Sequence, residues 1–191
     1  MISQLKPLLH RLFFVYGWDY DVLVLVLLSA SVICFLLKKS VSDKKFTGFL
    51  FPVSFVIYLI LVIYLTIVRR INSENLYGLC LIPFYSYYQY SLGIKEMIRL
   101  VIMNIALFYP IGFLLSCIDV EFLKKKKWMI IIFALLFSTC IEIVQYTFRL
   151  GYAETDDVIH NTLGAGIGML AYTLMELLTK AINKMLCKKR L

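Results

Sequence analysis

Histidine is nearly absent from this chain, charge is sparse, and the signatures of common soluble enzymes are missing. The 2 histidines, His10 and His160, show no ligand spacing, so no metal is expected, and no motif calls for another cofactor. No H-E-x-x-H, G-x-S-x-G or Walker pattern occurs. The 5 cysteines, Cys34, Cys80, Cys117, Cys140 and Cys187, are odd in number and lack metal-like spacing. No disulfide framework is implied, and in apolar surroundings Cys acts as a small hydrophobe. Charged residues make up only 17%, against about 25% in a soluble domain.

What is abundant is apolar surface. Hydrophobic residues make up 61% of the 191 residues, and the mean hydropathy is +0.84. Lipid is the expected solvent. A bilayer crossing needs roughly 20 mostly apolar residues. Five segments approach that length, near Tyr20–Leu37, Thr47–Val68, Ile98–Ile118, Trp128–Phe148 and Val158–Leu178. The fold expected is all-α, a polytopic bundle of about five transmembrane helices. Pro52 is expected in the first turn of the second, where proline is tolerated. Pro110 falls mid-span in the third and predicts a kink, with a freed carbonyl needing a partner.

The net charge is +8, but nucleic acid is not the expected partner. The basic residues sit in short runs beside apolar segments: Lys38-Lys39, Lys44-Lys45, Lys124 to Lys127, and the tail from Lys180 to Arg190. Such runs orient membrane helices and touch anionic headgroups. They follow spans one, three and five, so with five spans all share one side, and an odd span count sets the N-terminus opposite the C-terminus. The N-terminus is then expected outside and the C-terminus in the cytoplasm. The first span is not expected to be a cleaved signal peptide, because the stronger basic cluster follows it and no A-x-A pattern is evident. The expected division is a segment 1–46 with the first helix, a bundle 47–179, and a basic cytoplasmic tail 180–191.

The loop after span two is too apolar for a solvated loop. It contains Leu81-Ile82-Pro83-Phe84 and then Tyr85, Tyr87, Tyr88 and Tyr90. Tyrosine favours the membrane–water boundary, so this stretch is expected in the interface or dipping into the bundle.

Polar groups inside the spans carry the functional information, since a charge at mid-bilayer costs about 2.5–3.5 kcal/mol. Glu142, Gln145, Tyr146 and Arg149 share one predicted helical face. Asp157, Asn161, Gly164 and Gly168 share another, where glycines four apart allow close helix approach. Asp156 stands at the start of the same helix and complements its dipole. Asn104 shares a stripe with Phe108, Ile111 and Leu115, and Arg69-Arg70 closes span two. All map to the outer half of the bundle. Structural roles stay open for several: Glu142 with Arg149 or Arg69 as a bundle-locking pair, Asp156 as a cap, Asn104 as an interhelical bond. His160 alone is expected to be solvated.

Four elements together resemble the VanZ-like family of small bacterial membrane proteins linked to teicoplanin resistance. Leu81-Ile82-Pro83-Phe84 is similar to its N-L-I-P-F element. Asn104 to Phe113 resembles its N-x-x-x-F-x-P-x-G segment, and Glu142-Ile143-Val144-Gln145 its E-x-x-Q. Arg149, with Asp156-Asp157 through Asn161 to Gly164, resembles its R…D-D-x-x-x-N-x-x-G block. The resemblance covers about residues 65 to 170, in order. Cys80 stands where many members have Asn. The resemblance implies a multi-pass protein of the bacterial cell membrane and a role in glycopeptide resistance, without a mechanism.

Three functions fit these residues. In the first, Arg69, Asn104, Glu142, Gln145, Arg149, Asp156, Asp157 and Asn161 form a polar cluster. It binds or shields an amphiphile at the outer leaflet: a membrane lipid, a lipid-linked envelope precursor or a lipoglycopeptide. In the second, Glu142 and Asp157 are acid and base of a membrane enzyme acting on an envelope lipid or polymer, although no nucleophile is obvious. The third is a lipid transporter or flippase-like protein, for which no inverted repeat is visible. The oligomeric state is not encoded legibly.

Overall fold

The computed structural model describes residues 20–41, 43–71, 77–85, 87 and 94–188. The stretch 1–19, Tyr88, Tyr90 and the tail end 189–191, all named above, lie outside the described residues. The architecture is all-α apart from one small ribbon. Helices α1 (Tyr20–Ser40), α2 (Lys44–Thr66), α3 (Ile94–Cys117), α4 (Glu121–Lys125), α5 (Trp128–Thr147) and α6 (Thr155–Lys188) follow in order, with a 3-10 turn at Val68–Arg70 after α2. Within α2 to α6, 4 helices are long and apolar enough to cross a membrane: Lys44–Arg70, Met97–Cys117, Trp128–Thr147 and Thr155–Leu186. The first expected span, Tyr20–Leu37, is helical within α1 but is not among these 4.

Helix α2 begins earlier than the hydropathy pattern indicates. Asp43 caps it, accepting from the amides of Lys45 (2.8 Å) and Phe46 (3.3 Å), as a short acidic side chain does at an N-cap. Pro52 therefore lies inside the helix, not in its first turn. Pro110 also lies within a continuous helix. The Tyr58 hydroxyl donates to the carbonyl of Leu107 at 2.9 Å, in the turn that the missing proline amide weakens. Helix α6 runs 34 residues, about 50 Å by helix rise, so residues 180–188 continue the helix where the sequence suggested a separate tail.

The core is the seam between α3 and α6. Gly112 faces the Ala165 backbone, and Gly164 and Gly168 face the backbones of Ile105 and Tyr109. A Cβ at any of these would overlap main-chain atoms, so only glycine permits this approach. Around the seam, Phe108, Ile111, Ile130, Ala134 and Ala165 are fully enclosed, with α2 and α5 packed outside.

The basic residues that close α1, open α2 and precede α5 lie toward one end of the bundle, whereas Arg69 and Arg70 follow α2 at the other. Lys38 of α1 bonds the Cys117 carbonyl at the end of α3 and Asp119 beyond it. Lys127, before α5, donates to Thr173 on α6 at 2.9 Å. At the opposite end lies a strand pair absent from the sequence reading. Strand β1 (Gly78–Cys80) runs parallel to β2 (Tyr152–Glu154), with Gly78 opposite Tyr152 and Cys80 opposite Glu154. The loop after α2 is thereby tied to the loop after α5.

Candidate functional site

The ribbon end of the bundle holds most of the buried polar groups among the described residues. On α5, Glu142 (7% exposed), Gln145 (2%) and Ser138 (0%) point inward. On α6, Asp156, His160 and Asn161 are also buried. The two helices meet the ribbon and α3 in one network.

Two carboxylates pin the ribbon. Glu142 Oε2 accepts from the Glu154 amide of β2 at 3.1 Å. Asp156 Oδ1 accepts from the Phe84 amide at 2.5 Å. The second bond depends on a turn in which Tyr85 N–H donates to the Ile82 carbonyl at 3.3 Å. Pro83 then occupies the position that favours its fixed φ, and Phe84 the position requiring a positive one. Phe84 has φ 62°, unusual for a side chain with a Cβ. This is the physical content of the Leu81-Ile82-Pro83-Phe84 element: it aims one amide at one buried carboxylate.

Below the ribbon the polar groups join helix to helix. Asn104 Nδ2 on α3 donates to Asp157 Oδ1 on α6 at 2.5 Å. Asn161 Nδ2 donates to Ser138 Oγ on α5 at 2.9 Å. Gln145 Nε2 donates to the Thr66 carbonyl at the end of α2 at 3.1 Å. Two buried acceptors, Gln145 Oε1 and Asn161 Oδ1, have no hydrogen-bond partner among the described residues. Arg70, on the 3-10 turn, exerts its positive charge on both Glu142 and Asp157. It also lies against Gly151, where a Cβ would stand 3.0 Å from Arg70 Nη1.

Glu142, Gln145, Asn104, Asp156, Asp157 and Asn161, all expected in one cluster, are thus brought together. Arg69 is half-buried beside Arg70, but the electrostatic link to Glu142 and Asp157 runs from Arg70. The face expected to run from Glu142 to Arg149 is divided. Tyr146 is exposed, and α5 ends before Arg149. The Leu150 amide donates to the Gln145 carbonyl at 2.8 Å and the Arg149 amide to the Tyr146 carbonyl at 3.2 Å. That is a Schellman end, normally built with glycine at its left-handed residue. Here the residue is Arg149, with φ 54°. Its guanidinium stands 4.9 Å from the centre of the Tyr77 ring, over the ribbon rather than in the buried network. Phe84 and Arg149 are the only non-glycine residues with positive φ among the described residues, and both border this site. Strain of this kind persists where the surroundings over-determine it.

Sequence reasoning missed His160. Expected to be solvated, it is 6% exposed, and its Nε2 is 2.7 Å from the Tyr87 hydroxyl. Only the tyrosine-rich loop could have pointed to that partner. Ser138 and Glu154 were missed too, because a lone serine in an apolar helix and an acid in a loop carry no periodic signal. Among the described residues no cluster of His, Cys, Asp and Glu has the geometry to hold a metal ion.

The exposed surface of the ribbon and its flanking loops is largely apolar, with the Arg149 guanidinium beside it. Leu79, Leu81, Ile82, Phe84, Phe148 and Tyr152 are all exposed. With polar groups beneath and apolar groups above, the site is amphiphilic.

A sequence model of the VanZ/LLP1 family matches residues 55–176, a range that contains every polar residue just described. Among curated proteins, Protein VanZ of Enterococcus faecium is 33% identical over 97 residues, covering 47% of this chain and 57% of that protein. The chain therefore aligns with little more than half the length of that relative. No solved structure matches the chain.

Proposed function

This chain belongs to the VanZ/LLP1 family of membrane proteins, and from that premise we propose that it binds or shields an amphiphile at the outer leaflet of the bacterial cell membrane. The ligand class is a lipid-linked envelope precursor or a lipoglycopeptide, and the outcome is a contribution to teicoplanin-type glycopeptide resistance, as the family resemblance implies. The basic runs Lys38-Lys39 and Lys124 to Lys127, near one end of the bundle, support a cytoplasmic position for that end. The ribbon end then faces outward.

One observation carries this reading. Polar groups of α3, α5, α6 and the 3-10 turn converge under a ribbon whose outer face is largely apolar. Buried polarity of this extent is expensive in hydrocarbon. The acceptors of Gln145 and Asn161, enclosed and without a partner among the described residues, gain one when a polar headgroup enters beneath the ribbon. Leu81, Ile82 and Phe84 offer an apolar surface to an acyl chain. Arg149, poised over the ribbon, meets a phosphate or carboxylate of the ligand.

The test is binding of a teicoplanin-type lipoglycopeptide and of a lipid-linked wall precursor to purified protein in nanodiscs. Glu142→Gln and Arg149→Ala are expected to weaken binding about tenfold or more, the scale of one charged hydrogen bond. Equal binding by wild type and both variants, at equal folded amounts, contradicts the proposal.

A second reading, acid–base chemistry on an envelope lipid, is favoured by one feature. Glu142 and Asp157 influence each other electrostatically yet have different hydrogen-bond donors, an amide of β2 and the Asn104 carboxamide. Different environments are how two carboxyl groups take separate roles. A changed lipid or wall inventory in a deletion strain, restored by wild type and not by Asp157→Asn, selects this reading over the first.

A further inference from the structure

At the other end of the bundle the helices part around a cavity of about 530 Å³. Four lysines line it, Lys38, Lys39, Lys127 and Lys180, against two carboxylates, Asp119 and Glu176, so its lining is net positive. The lysines differ in how firmly they are held. Lys38 is fixed in the wall: it donates to the Cys117 carbonyl, to Asp119 at 3.1 Å and to the Tyr172 hydroxyl at 3.0 Å, and its side chain is only 10% exposed. Lys127 donates to a neutral hydroxyl, that of Thr173. Lys180 meets Glu176 only at 3.6 Å, with 69% of its side chain exposed. Lys39 lies exposed over the Phe35 ring. Lys39, Lys127 and Lys180 therefore keep charge available, while Lys38 holds the wall in place. Between them Leu115, Leu123 and Ile130 supply apolar lining.

We propose that this cavity binds the headgroup of one anionic phospholipid, with Lys39, Lys127 and Lys180 meeting the phosphate and Leu115, Leu123 and Ile130 receiving the start of the acyl chains. The volume falls within the range of small-ligand sites, about 300–1,000 Å³. Basic pockets between membrane helices recognise anionic headgroups by this combination of charge and apolar wall. A free anion would use the lysines and leave the apolar wall unmatched. The site is separate from the ribbon-end network, and Lys38, Lys39 and Lys180 lie outside the 55–176 range matched by the family. Those three lysines come from α1 and from the extension of α6, and the rest of the lining comes from the matched range.

Native mass spectrometry of the purified full-length protein tests this, with phosphatidylglycerol or phosphatidylcholine added in mixed micelles. Wild type is expected to retain one phosphatidylglycerol about tenfold more strongly than phosphatidylcholine. The triple variant Lys39→Gln, Lys127→Gln, Lys180→Gln loses that preference, and it leaves the Lys38 bonds intact. A control triple, Lys44→Gln, Lys45→Gln, Lys125→Gln, removes the same charge from exposed positions elsewhere at this end and keeps the preference. Equal retention of the two lipids, or equal loss in the control triple, overturns the proposal. So does a thermal stabilisation by inorganic phosphate alone that matches the one given by phosphatidylglycerol.

Discussion

Asn104 on α3 and Asp157 on α6 share a hydrogen bond of 2.5 Å across 53 residues of chain, beside the seam where Gly164 meets the Ile105 backbone. The close approach of the two backbones and the polar bond are one feature. Without the glycines the helices would stand further apart, and a side chain as short as Asn could not reach.

The Asn104–Asp157 bond should be read by a double-mutant cycle. Asn104→Ala is expected to destabilise the protein by about 1.5–3 kcal/mol, as for a hydrogen bond to a charged group. Combined with Asp157→Ala, the two effects should fall short of additivity by about 1 kcal/mol or more. Unfolding in mixed micelles measures both, and strict additivity would refute the pairing.

Glycines on the seam and off it should behave oppositely. Gly164→Ala and Gly112→Ala push a Cβ into backbone atoms of the facing helix, and overpacking of this kind costs about 1–3 kcal/mol or more. Gly48, in α2, has nothing within 4 Å of the added methyl. Gly48→Ala is expected to stabilise by about 0.5–1 kcal/mol. The thermal midpoints of the three variants should therefore bracket the wild-type value.

Arg149 separates conformational strain from charge. Arg149→Gly and Arg149→Ala both remove the guanidinium from the Tyr77 ring, but only glycine relieves the left-handed backbone. Arg149→Gly should be more stable than Arg149→Ala by about 1 kcal/mol, while both lose ligand binding alike. Binding that follows stability in the two variants would place Arg149 outside the binding surface.

Asp156 should govern how tightly the ribbon is held. Asp156→Ala removes the acceptor of the Phe84 amide and frees the segment carrying Cys80. Maleimide labelling at Cys80, resolved by peptide mass spectrometry, is expected to rise several-fold, roughly the effect of losing one charged hydrogen bond. Cys140, exposed on α5, serves as the internal reference and should not change.

The spans and the polar residues were legible because lipid makes both conspicuous. Long apolar runs mark helices, and residues such as Glu142, Asn104 and Asp157 stand out against them. The seam was legible in Gly164 and Gly168 for the same reason. The ribbon was not, since Gly78–Cys80 and Tyr152–Glu154 are 3 residues each and their pairing is non-local. Arg149 shows the limit of helical spacing: periodicity cannot tell where a helix stops when no glycine or proline marks its end. The same applies to Asp43, a helix start that hydropathy passes over because Lys44 and Lys45 follow it. His160 was misjudged for want of its partner, which sits 73 residues away on Tyr87.

Mass spectrometry of lipids and precursors that co-purify with the protein tests the central claim most directly, comparing wild type, Glu142→Gln and the Lys39/Lys127/Lys180 triple variant. A lipid-linked species that stays with wild type and with the lysine variant, and is lost with Glu142→Gln, is the predicted result. Identical profiles for wild type and a folded Glu142→Gln protein would show that the buried polar groups at the ribbon end only hold helices together.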